Sequence, residues 1–219
     1  MGGTSFGAHE SQSRLWGNHV VRNPDFWRLR FSELQQHFMQ QLADVSAADL
    51  YRAVMHVEPG LIRVEADELT YDMHVMVRVE IECALMDGTL QVKDLTAVWN
   101  ETLKRDLGVV VPDDSWGVLQ DIHWSVGFVG SFPSYTIGNV MAAQLMDHLQ
   151  TADPSLLSAM ERGEYTQLAE ALRQQVWQQV WQHGRRYGRD ELLIRSTGHA
   201  LDIAPYLAYL DKKYARGEV

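Results

Sequence analysis

The sequence predicts a mainly helical fold with at most a small β element. Pro24 suits the first turn of a helix, and the apolar residues after it recur near helical spacing up to Leu42. A second apolar stripe steps by four residues from Leu168 to Val180, which is more typical of a helical core than of a cofactor site. A helix-capping signature before the segment "AADLYRAVMHVE" also supports a helical fold.

That capping signature is formed by Ser46 and Asp49. At a spacing of three residues, a hydroxyl and a carboxylate can each accept a hydrogen bond from the other residue's backbone amide. The helix "AADLYRAVMHVE" then runs to the turn "EPG" at 58–60.

The segment from 61 to 86 combines two periodicities. In "VMVRVEIE", 75–82, β-branched residues alternate with more polar ones, as in a strand. The preceding "IRVEADELTYDMH" fits a helix better, and no turn residue follows until Asp87 and Gly88. We therefore predict one long helix from about 61 to 86.

Charge and composition exclude several classes of partner. The 219 residues carry 19 basic and 29 acidic side chains, a formal charge of -10, with no basic run, so we expect neither nucleic acid nor membrane as a partner. No apolar run reaches membrane-spanning length, and the N-terminus lacks signal-peptide features. The single Cys83 cannot form an internal disulfide, so we predict a cytoplasmic protein.

The string "HESQSRLW" at 9–16 is close to a zinc motif. In HExxH, two histidines hold the metal and the glutamate activates water. His9 and Glu10 are in place, but Ser13 occupies the position of the second histidine. Taken alone, such a pair more often marks an exposed helix start, where a carboxylate suits the helix dipole.

Arg63 and Asp67 in "IRVEAD" lie four residues apart. On one helix they would form an ordinary surface ion pair worth roughly half a kcal/mol. Alternatively, Arg63 points into a cleft and grips a carboxylate with its guanidinium fork, which Asp67 or a neighbour holds in place.

A dense polar and aromatic cluster lies at "GVLQDIHW", 117–124. Gln120, Asp121 and His123 stand between apolar neighbours, and buried polar groups need partners. A structural histidine is the ordinary explanation for His123, but the crowding beside glycine-rich loops favours a functional site. Tyr135 offers a hydroxyl nearby, although a core tyrosine is the ordinary expectation.

Five strings in this order resemble the carboxypeptidase Taq family of zinc metallocarboxypeptidases, with a match from Thr4 to Tyr214: "HESQSRLW", "IRVEADELTY", "GVLQDIHWS", "FPSYTIGN" and "GRRYGRDELLIRSTG". The resemblance implies a groove-containing helical fold, a single zinc ion, and release of amino acids from the free C-termini of peptides. It also implies that 1–219 is a single helical domain corresponding to the C-terminal part of such an enzyme. Homodimerisation stays open.

The resemblance implies roles for residues of the zinc site and of the substrate groove. In that family HExxH lies upstream of HESQ, whose glutamate is the third zinc ligand, so Glu10 would bind the metal. His9 and Gln12 would orient this ligand or contact substrate.

The other motifs match the substrate groove. Arg63 would recognise the substrate carboxylate, and Gln120 and Asp121 would belong to the same substrate site. His123 and Tyr135 would be catalytic, with hydroxyl or imidazole groups near the developing oxyanion.

The sequence departs from the family because it contains no HExxH. Without two histidine ligands and a general-base glutamate, water cannot be held and activated. We therefore expect a truncated chain with an incomplete zinc site and no appreciable peptidase activity alone. Two alternatives are a non-catalytic module that binds peptide C-termini and one half of a split enzyme whose other chain brings the zinc helix.

Overall fold

The computed structural model describes residues 6–174 and 186–215, which form α-helices and contain no β-strand. The α-helices are α1 (Phe6–Arg14), α2 (Pro24–His37), α3 (Ala47–Val54), α4 (Tyr71–Met86), α5 (Leu95–Leu107), α6 (Pro133–Ala152), α7 (Ser155–Glu161), α8 (Tyr165–Leu172), α9 (Arg189–Thr197) and α10 (Ala204–Tyr214). A π-helical segment, Leu15–Val21, continues α1, and short 3-10 helices occupy Arg63–Glu65 and Val92–Asp94. The mainly helical prediction is confirmed. No helix in these ranges is long and apolar enough to cross a lipid bilayer.

The chain divides into two compact units. The terminal unit comprises Met1–His56 and Ile137–Val219, and the central unit comprises Val57–Thr136. Helices α4 and α5 belong to the central unit.

The core of the central unit includes residues of α4 and α5. Val77 and Ile81 on α4 join Trp99 and Leu103 on α5 in one cluster, and all four side chains are almost fully buried. Each such side chain contributes roughly 1.5–3 kcal/mol by leaving water. This packing fixes the rotation of α4 about its axis and therefore the positions of its polar residues.

The core of the terminal unit includes much of α6. Met141, Leu145 and Leu149 recur at four-residue spacing and are buried in one cluster with Leu15. The same cluster contains residues of α7, α8 and α9.

The apolar stripe predicted from Leu168 to Val180 is described only in part. Leu168 and Leu172 are buried on α8, as a core stripe should be. Val176 and Val180 lie outside the described residues.

The capping box before α3 is confirmed. The amide of Asp49 donates to Ser46 Oγ at 3.1 Å, and the amide of Ser46 donates to the Asp49 carboxylate at 3.0 Å. By contrast, the predicted extension of the preceding helix to Leu42 is wrong, since α2 ends at His37. Residues 38–41 are exposed, so their apolar side chains do not join a core that would favour further helix.

The helix predicted from 61 to 86 is correct only from Tyr71 onwards. Before that point the Asp67 carboxylate accepts hydrogen bonds from the amides of Leu69 and Thr70, both at 2.9 Å. An aspartate that bonds the amides two and three residues ahead forms a local turn in place of helix.

The alternating segment 75–82 is helical, and its strand-like pattern has a structural cause. Three β-branched residues are buried, namely Val75, Val77 and Ile81. Three polar residues at four-residue spacing are buried as well, namely His74, Arg78 and Glu82. Because α4 buries polar as well as apolar side chains, the alternation of polar and apolar residues does not distinguish its buried positions from its exposed ones.

Candidate functional site

Arg63, Asp121 and Tyr71 form the centre of a buried polar cluster in the central unit. Arg63 lies in the 3-10 turn before α4 and is only 5% exposed. Its Nε and Nη2 donate to Oδ1 of Asp121 at 3.1 and 2.7 Å, and its Nη1 donates to the Tyr71 hydroxyl at 2.9 Å. The prediction of a surface ion pair between Arg63 and Asp67 is therefore wrong, since the guanidinium group of Arg63 binds the carboxylate of Asp121.

Arg78 of α4 joins this cluster, although no sequence motif singled it out. Its side chain is 0% exposed, and its Nε donates to Oδ2 of Asp121 at 2.6 Å. Nη1 donates to the carbonyl of His74 at 2.7 Å, and the guanidinium lies 4.7 Å from the centre of the Trp99 ring. Both oxygens of Asp121 are thus bonded by arginines.

The two arginines control the ionisation of Asp121. Burial alone would raise its pKa, but the hydrogen bonds from Arg63 and the charge of Arg78 outweigh burial and hold the pKa below its usual 3.8. Burial lowers the pKa of Arg78 to about 10, so it stays charged at neutral pH. Burial also opposes the charge of Arg63, yet its bonds to Asp121 raise its pKa overall. All three groups are ionised at pH 7.

Gln120 connects this cluster to the backbone. Its Oε1 accepts from the amide of Arg63 at 3.0 Å and from Nη2 of Arg78 at 2.8 Å. Its Nε2 donates to the carbonyls of Leu61 and Gly117 at 3.0 and 3.1 Å. Because these bonds engage both ends of the amide, Gln120 positions the arginines. A direct contact between Gln120 or Asp121 and substrate stays a prediction.

His123 and Tyr135 form a second polar pair in the central unit. His123 Nε2 lies 2.9 Å from the Tyr135 hydroxyl, and the tautomer decides which group donates. Burial lowers the pKa of His123, and Arg63 and Arg78 add to this effect against the opposing charge of Asp121. The imidazole is therefore mainly neutral at pH 7. The Tyr135 ring centre lies 5.0 Å from Cζ of Arg63, so this pair adjoins the arginine cluster.

Glu82 of α4 holds the loop that carries these residues. Its Oε1 accepts a hydrogen bond from Nε1 of Trp124 at 2.7 Å, and both carboxylate oxygens lie 3.2 Å from the amide of Gly130. These bonds attach the loop between α5 and α6 to α4. One of the attachment points, Trp124, directly follows His123 in the sequence.

Glu10, His9 and Gln12 lie on α1 in the terminal unit. Glu10 is partly buried, and its Oε2 lies 4.0 Å from Nε of Arg14. His9 is exposed, whereas Gln12 donates to the buried hydroxyl of Ser11 at 3.2 Å. Neighbouring residues of this motif thus have very different environments.

The backbone of α6 approaches Glu10 closely. A Cβ atom built on Gly138 would lie 2.6 Å from Cβ of Glu10, nearer than real carbon atoms pack. Only glycine lets α1 and α6 come this close, so Gly138 helps to position Glu10.

We expect Gly138→Ala to lower the free energy of unfolding by about 1–3 kcal/mol, because α1 must shift to admit the methyl group. Gly17→Ala is the matched control, since nothing lies within 4 Å of the added Cβ. Both changes are measured by urea unfolding. Equal stability of the two variants would show that the close approach is not needed.

A complete metal site is not provided by the described residues alone. Within 6–174 and 186–215, no three His, Cys, Asp or Glu side chains form a group that could hold a metal ion. Glu10 can supply one carboxylate, but zinc sites in proteins use three or four protein ligands.

The structure brings five of the predicted site residues together in the central unit: Arg63, Gln120, Asp121, His123 and Tyr135. Sequence reasoning missed Arg78 and Tyr71. Arginine at the middle of an apolar helix, with His74 and Glu82 one turn to either side, was a usable signal for Arg78.

Comparison with known proteins identifies the family. The sequence matches the family model "Carboxypeptidase Taq (M32) metallopeptidase" over residues 1–214. It is 43% identical over 211 residues to thermostable carboxypeptidase 1 of Thermus thermophilus and 37% identical over 213 residues to carboxypeptidase 1 of Bacillus subtilis. These alignments cover 96% and 97% of this chain but only 40% and 42% of the relatives.

A solved structure agrees with these matches. The crystal structure of the M32 carboxypeptidase from Deinococcus radiodurans R1 is similar to this chain with a TM-score of 0.89 and 45% identity. The similarity covers 98% of this chain and 42% of that one. The chain therefore belongs to the carboxypeptidase Taq (M32) family of metallopeptidases.

Proposed function

We propose that this chain carries the part of a metallocarboxypeptidase that binds the free C-terminal carboxylate of a peptide, with Arg63 as the contact. The supporting observation is the trio of Arg63, Arg78 and Asp121, in which two buried guanidinium groups share one carboxylate. The trio carries one more positive than negative charge. Because buried charge is costly when unpaired, a second carboxylate is the natural partner for this surplus.

The donors of Arg63 suit this role. A guanidinium group has five N–H donors, and the bonds to Asp121 and Tyr71 use Nε and one N–H on each terminal nitrogen. One N–H remains on each terminal nitrogen, which matches the two oxygens of a carboxylate. Asp121 and Gln120 then act as positioning residues, because they fix the side chain and the backbone of Arg63.

His123 and Tyr135 are proposed to act on the scissile carbonyl. A neutral imidazole has one N–H and a phenol one O–H, so when His123 Nε2 donates to Tyr135 the Tyr135 O–H can donate to an oxyanion as it develops. Their hydrogen bond to each other holds both groups in position before substrate arrives.

Glu10 is proposed to be one ligand of a zinc ion, and His9 and Gln12 to orient it or to contact substrate. Family membership implies a metal. When bound, zinc polarises the scissile carbonyl and activates water. A cytoplasmic location, which the single Cys83 favours, belongs to the same proposal.

Peptide binding tests the role of Arg63 directly. We expect a short peptide with a free C-terminus to bind at least about tenfold more tightly than its C-terminal amide, because the amide lacks the charge that pairs with Arg63. Isothermal titration of both peptides measures this ratio on one unaltered protein. Equal affinities would contradict the proposal.

Two variants identify the residue responsible. Arg63→Gln should remove the preference for the free carboxylate. Arg105→Gln is the matched control, since Arg105 is exposed and pairs with Glu80 and Asp106 at the surface. A preference that survives Arg63→Gln in a folded protein would assign carboxylate recognition elsewhere.

The chain alone is expected to have no appreciable peptidase activity, even with added zinc. Its sequence contains no HExxH, the motif that supplies two histidine ligands and the general base. A chromogenic C-terminal substrate measures this, and a zinc-dependent rate abolished by Glu10→Ala would show the expectation to be wrong.

A split enzyme is the second candidate, favoured by the position of Glu10. The close approach of α6 positions the backbone and Cβ of Glu10, although the described residues offer no group of metal ligands around its carboxylate. This candidate predicts activity only after mixing with a chain that carries HExxH. A non-catalytic module would bind peptides and stay inactive in the mixture.

A further inference from the structure

A cavity of about 650 Å³ lies within the terminal unit. Its walls come from the π-helical segment after α1 and from α6, α7 and α10. Pockets of this size typically hold small organic molecules. None of its lining residues belongs to the candidate site for the peptide carboxylate.

The charged residues that line the cavity are mostly basic. In the part of the chain that the structure describes, they are Arg22, Lys212 and Lys213, against one carboxylate, that of Asp147. These described residues carry three positive charges and one negative charge, a local surplus of two in a chain whose formal charge is -10. A concave basic surface attracts anions.

One of these cations is held in a fixed position. Lys213 Nζ donates to the carbonyl of Asn18 at 2.9 Å and to the Tyr209 hydroxyl at 2.6 Å. The Tyr209 ring stacks on His19 with 4.0 Å between ring centres, and its hydroxyl also donates to Asn18 at 3.0 Å. This network keeps the wall around Lys213 ordered, so a ligand would not have to order it.

The other two cations, Arg22 and Lys212, have no counter-ion within residues 6–174 and 186–215. Among the described residues, neither Arg22 nor Lys212 forms an ion pair or a side-chain hydrogen bond. Burial and the charge of Lys213 lower the pKa of His19 to about 3, so His19 is neutral and leaves the positive surplus to Arg22 and the lysines. Asp147 likewise forms no ion pair within the described chain.

We propose that this cavity binds a small organic polyanion that carries phosphate or carboxylate groups. Arg22 and Lys212 supply the charge-assisted hydrogen bonds, and the Tyr209 and His19 wall supplies the apolar contact. Asp147 weakens binding by repulsion.

Titration with two simple probes tests the proposal. Inorganic pyrophosphate and citrate are titrated separately into the full chain by calorimetry at fixed ionic strength. Saturable binding of at least one probe is expected. Pyrophosphate alone would assign phosphate chemistry, citrate alone would assign carboxylate chemistry, and both would assign the shared polyanion chemistry. Failure of both to saturate below about 10 mM would overturn the proposal.

Three variants locate the binding site. Arg22→Gln and Lys212→Gln should each weaken binding at least about tenfold. Arg30→Gln should leave it unchanged, because Arg30 pairs with Glu33 on the exposed surface of α2. Equal weakening by Arg30→Gln would show general charge attraction and refute the cavity as the site.

The variant Asp147→Asn distinguishes an effect on ligand binding from a loss of folded protein. Removing the repelling carboxylate should tighten binding about threefold to tenfold, a gain that a misfolded variant cannot produce. Unchanged or weaker binding by a folded Asp147→Asn variant would contradict the assignment.

Discussion

Replacing Arg78 with glutamine is expected to lower the free energy of unfolding by about 3–5 kcal/mol, because it takes away one partner of a buried carboxylate. Arg78 is 0% exposed, and its Nη2 lies 2.5 Å from Oδ2 of Asp121. The loss of the arginine also leaves Gln120 Oε1 with one donor fewer. Urea unfolding at pH 7 measures the change.

Arg105→Gln is again the matched control. Arg105 also bonds carboxylates, but it is exposed, and exposed pairs contribute only about 0–1 kcal/mol. A loss below about 1 kcal/mol for Arg78→Gln would show that the buried pair does not hold the central unit together.

A double-mutant cycle isolates the pair itself. Asp121→Asn alone leaves two buried arginines without their carboxylate, so it should also be strongly destabilising. Combined with Arg78→Gln, it should cost less than the sum of the two single changes, since each change removes the charge that the other leaves unpaired. Additive losses would mean that Arg78 acts through packing on Trp99 alone.

The same variant tests the site. Arg78→Gln removes the positive surplus of the trio, so we expect the preference for free over amidated peptides to fall even though Arg78 does not contact substrate. This expectation depends on the proposed function, whereas the loss of stability does not.

Local signals in the sequence were reliable where the interaction itself is local. Ser46 and Asp49 cap α3 as predicted, because both partners lie within one turn of chain. The start of α4 is an exception: Asp67 accepts hydrogen bonds from the nearby amides of Leu69 and Thr70, but helical spacing in this segment does not reveal the turn that these bonds form.

The candidate site could be predicted only as a set of residues. Arg63 and Asp121 are 58 positions apart in the sequence. The periodicity of hydrophobic residues within a helix carries no information about a pair so far apart. The nearest carboxylate at helical spacing, Asp67, was therefore the wrong partner. The alternation in 75–82 does not reveal Arg78, because a pattern of apolar and polar residues assigns an arginine to the surface, whereas this one is buried with a carboxylate partner.

Acidification is expected to destabilise the protein before its carboxylates titrate. Burial lowers the pKa of His74 to about 4, with Arg78 and Arg63 adding to the effect, and burial with Lys213 lowers that of His19 to about 3. Both ring nitrogens of His74 lack a hydrogen-bond partner among the described residues. The folded protein therefore resists protonation of both imidazoles.

The sign of the change in stability with pH follows from how many protons the folded and the unfolded chain bind. Above pH 6.5 both histidines are neutral whether the chain is folded or unfolded, so their protonation costs no stability. As pH falls below 6.5, the unfolded chain takes up protons that the folded chain does not, and each histidine costs about 1.4 kcal/mol per pH unit until its folded pKa is reached. Between pH 7 and 5.5 we expect a loss of about 2–3 kcal/mol from the two together.

His74→Gln and His37→Gln distinguish this mechanism from general acid sensitivity. His74 is 0% exposed, so its replacement should remove about half of the loss between pH 7 and 5.5, whatever it does to stability at pH 7. His37 is exposed at the end of α2, and its replacement should leave the pH dependence unchanged. Paired carboxylates such as Asp121 lose their contribution only below about pH 4, outside this window. Urea unfolding at pH 7, 6 and 5.5 measures the slopes, and a stability that stays level over this range would contradict the buried, neutral state of both imidazoles.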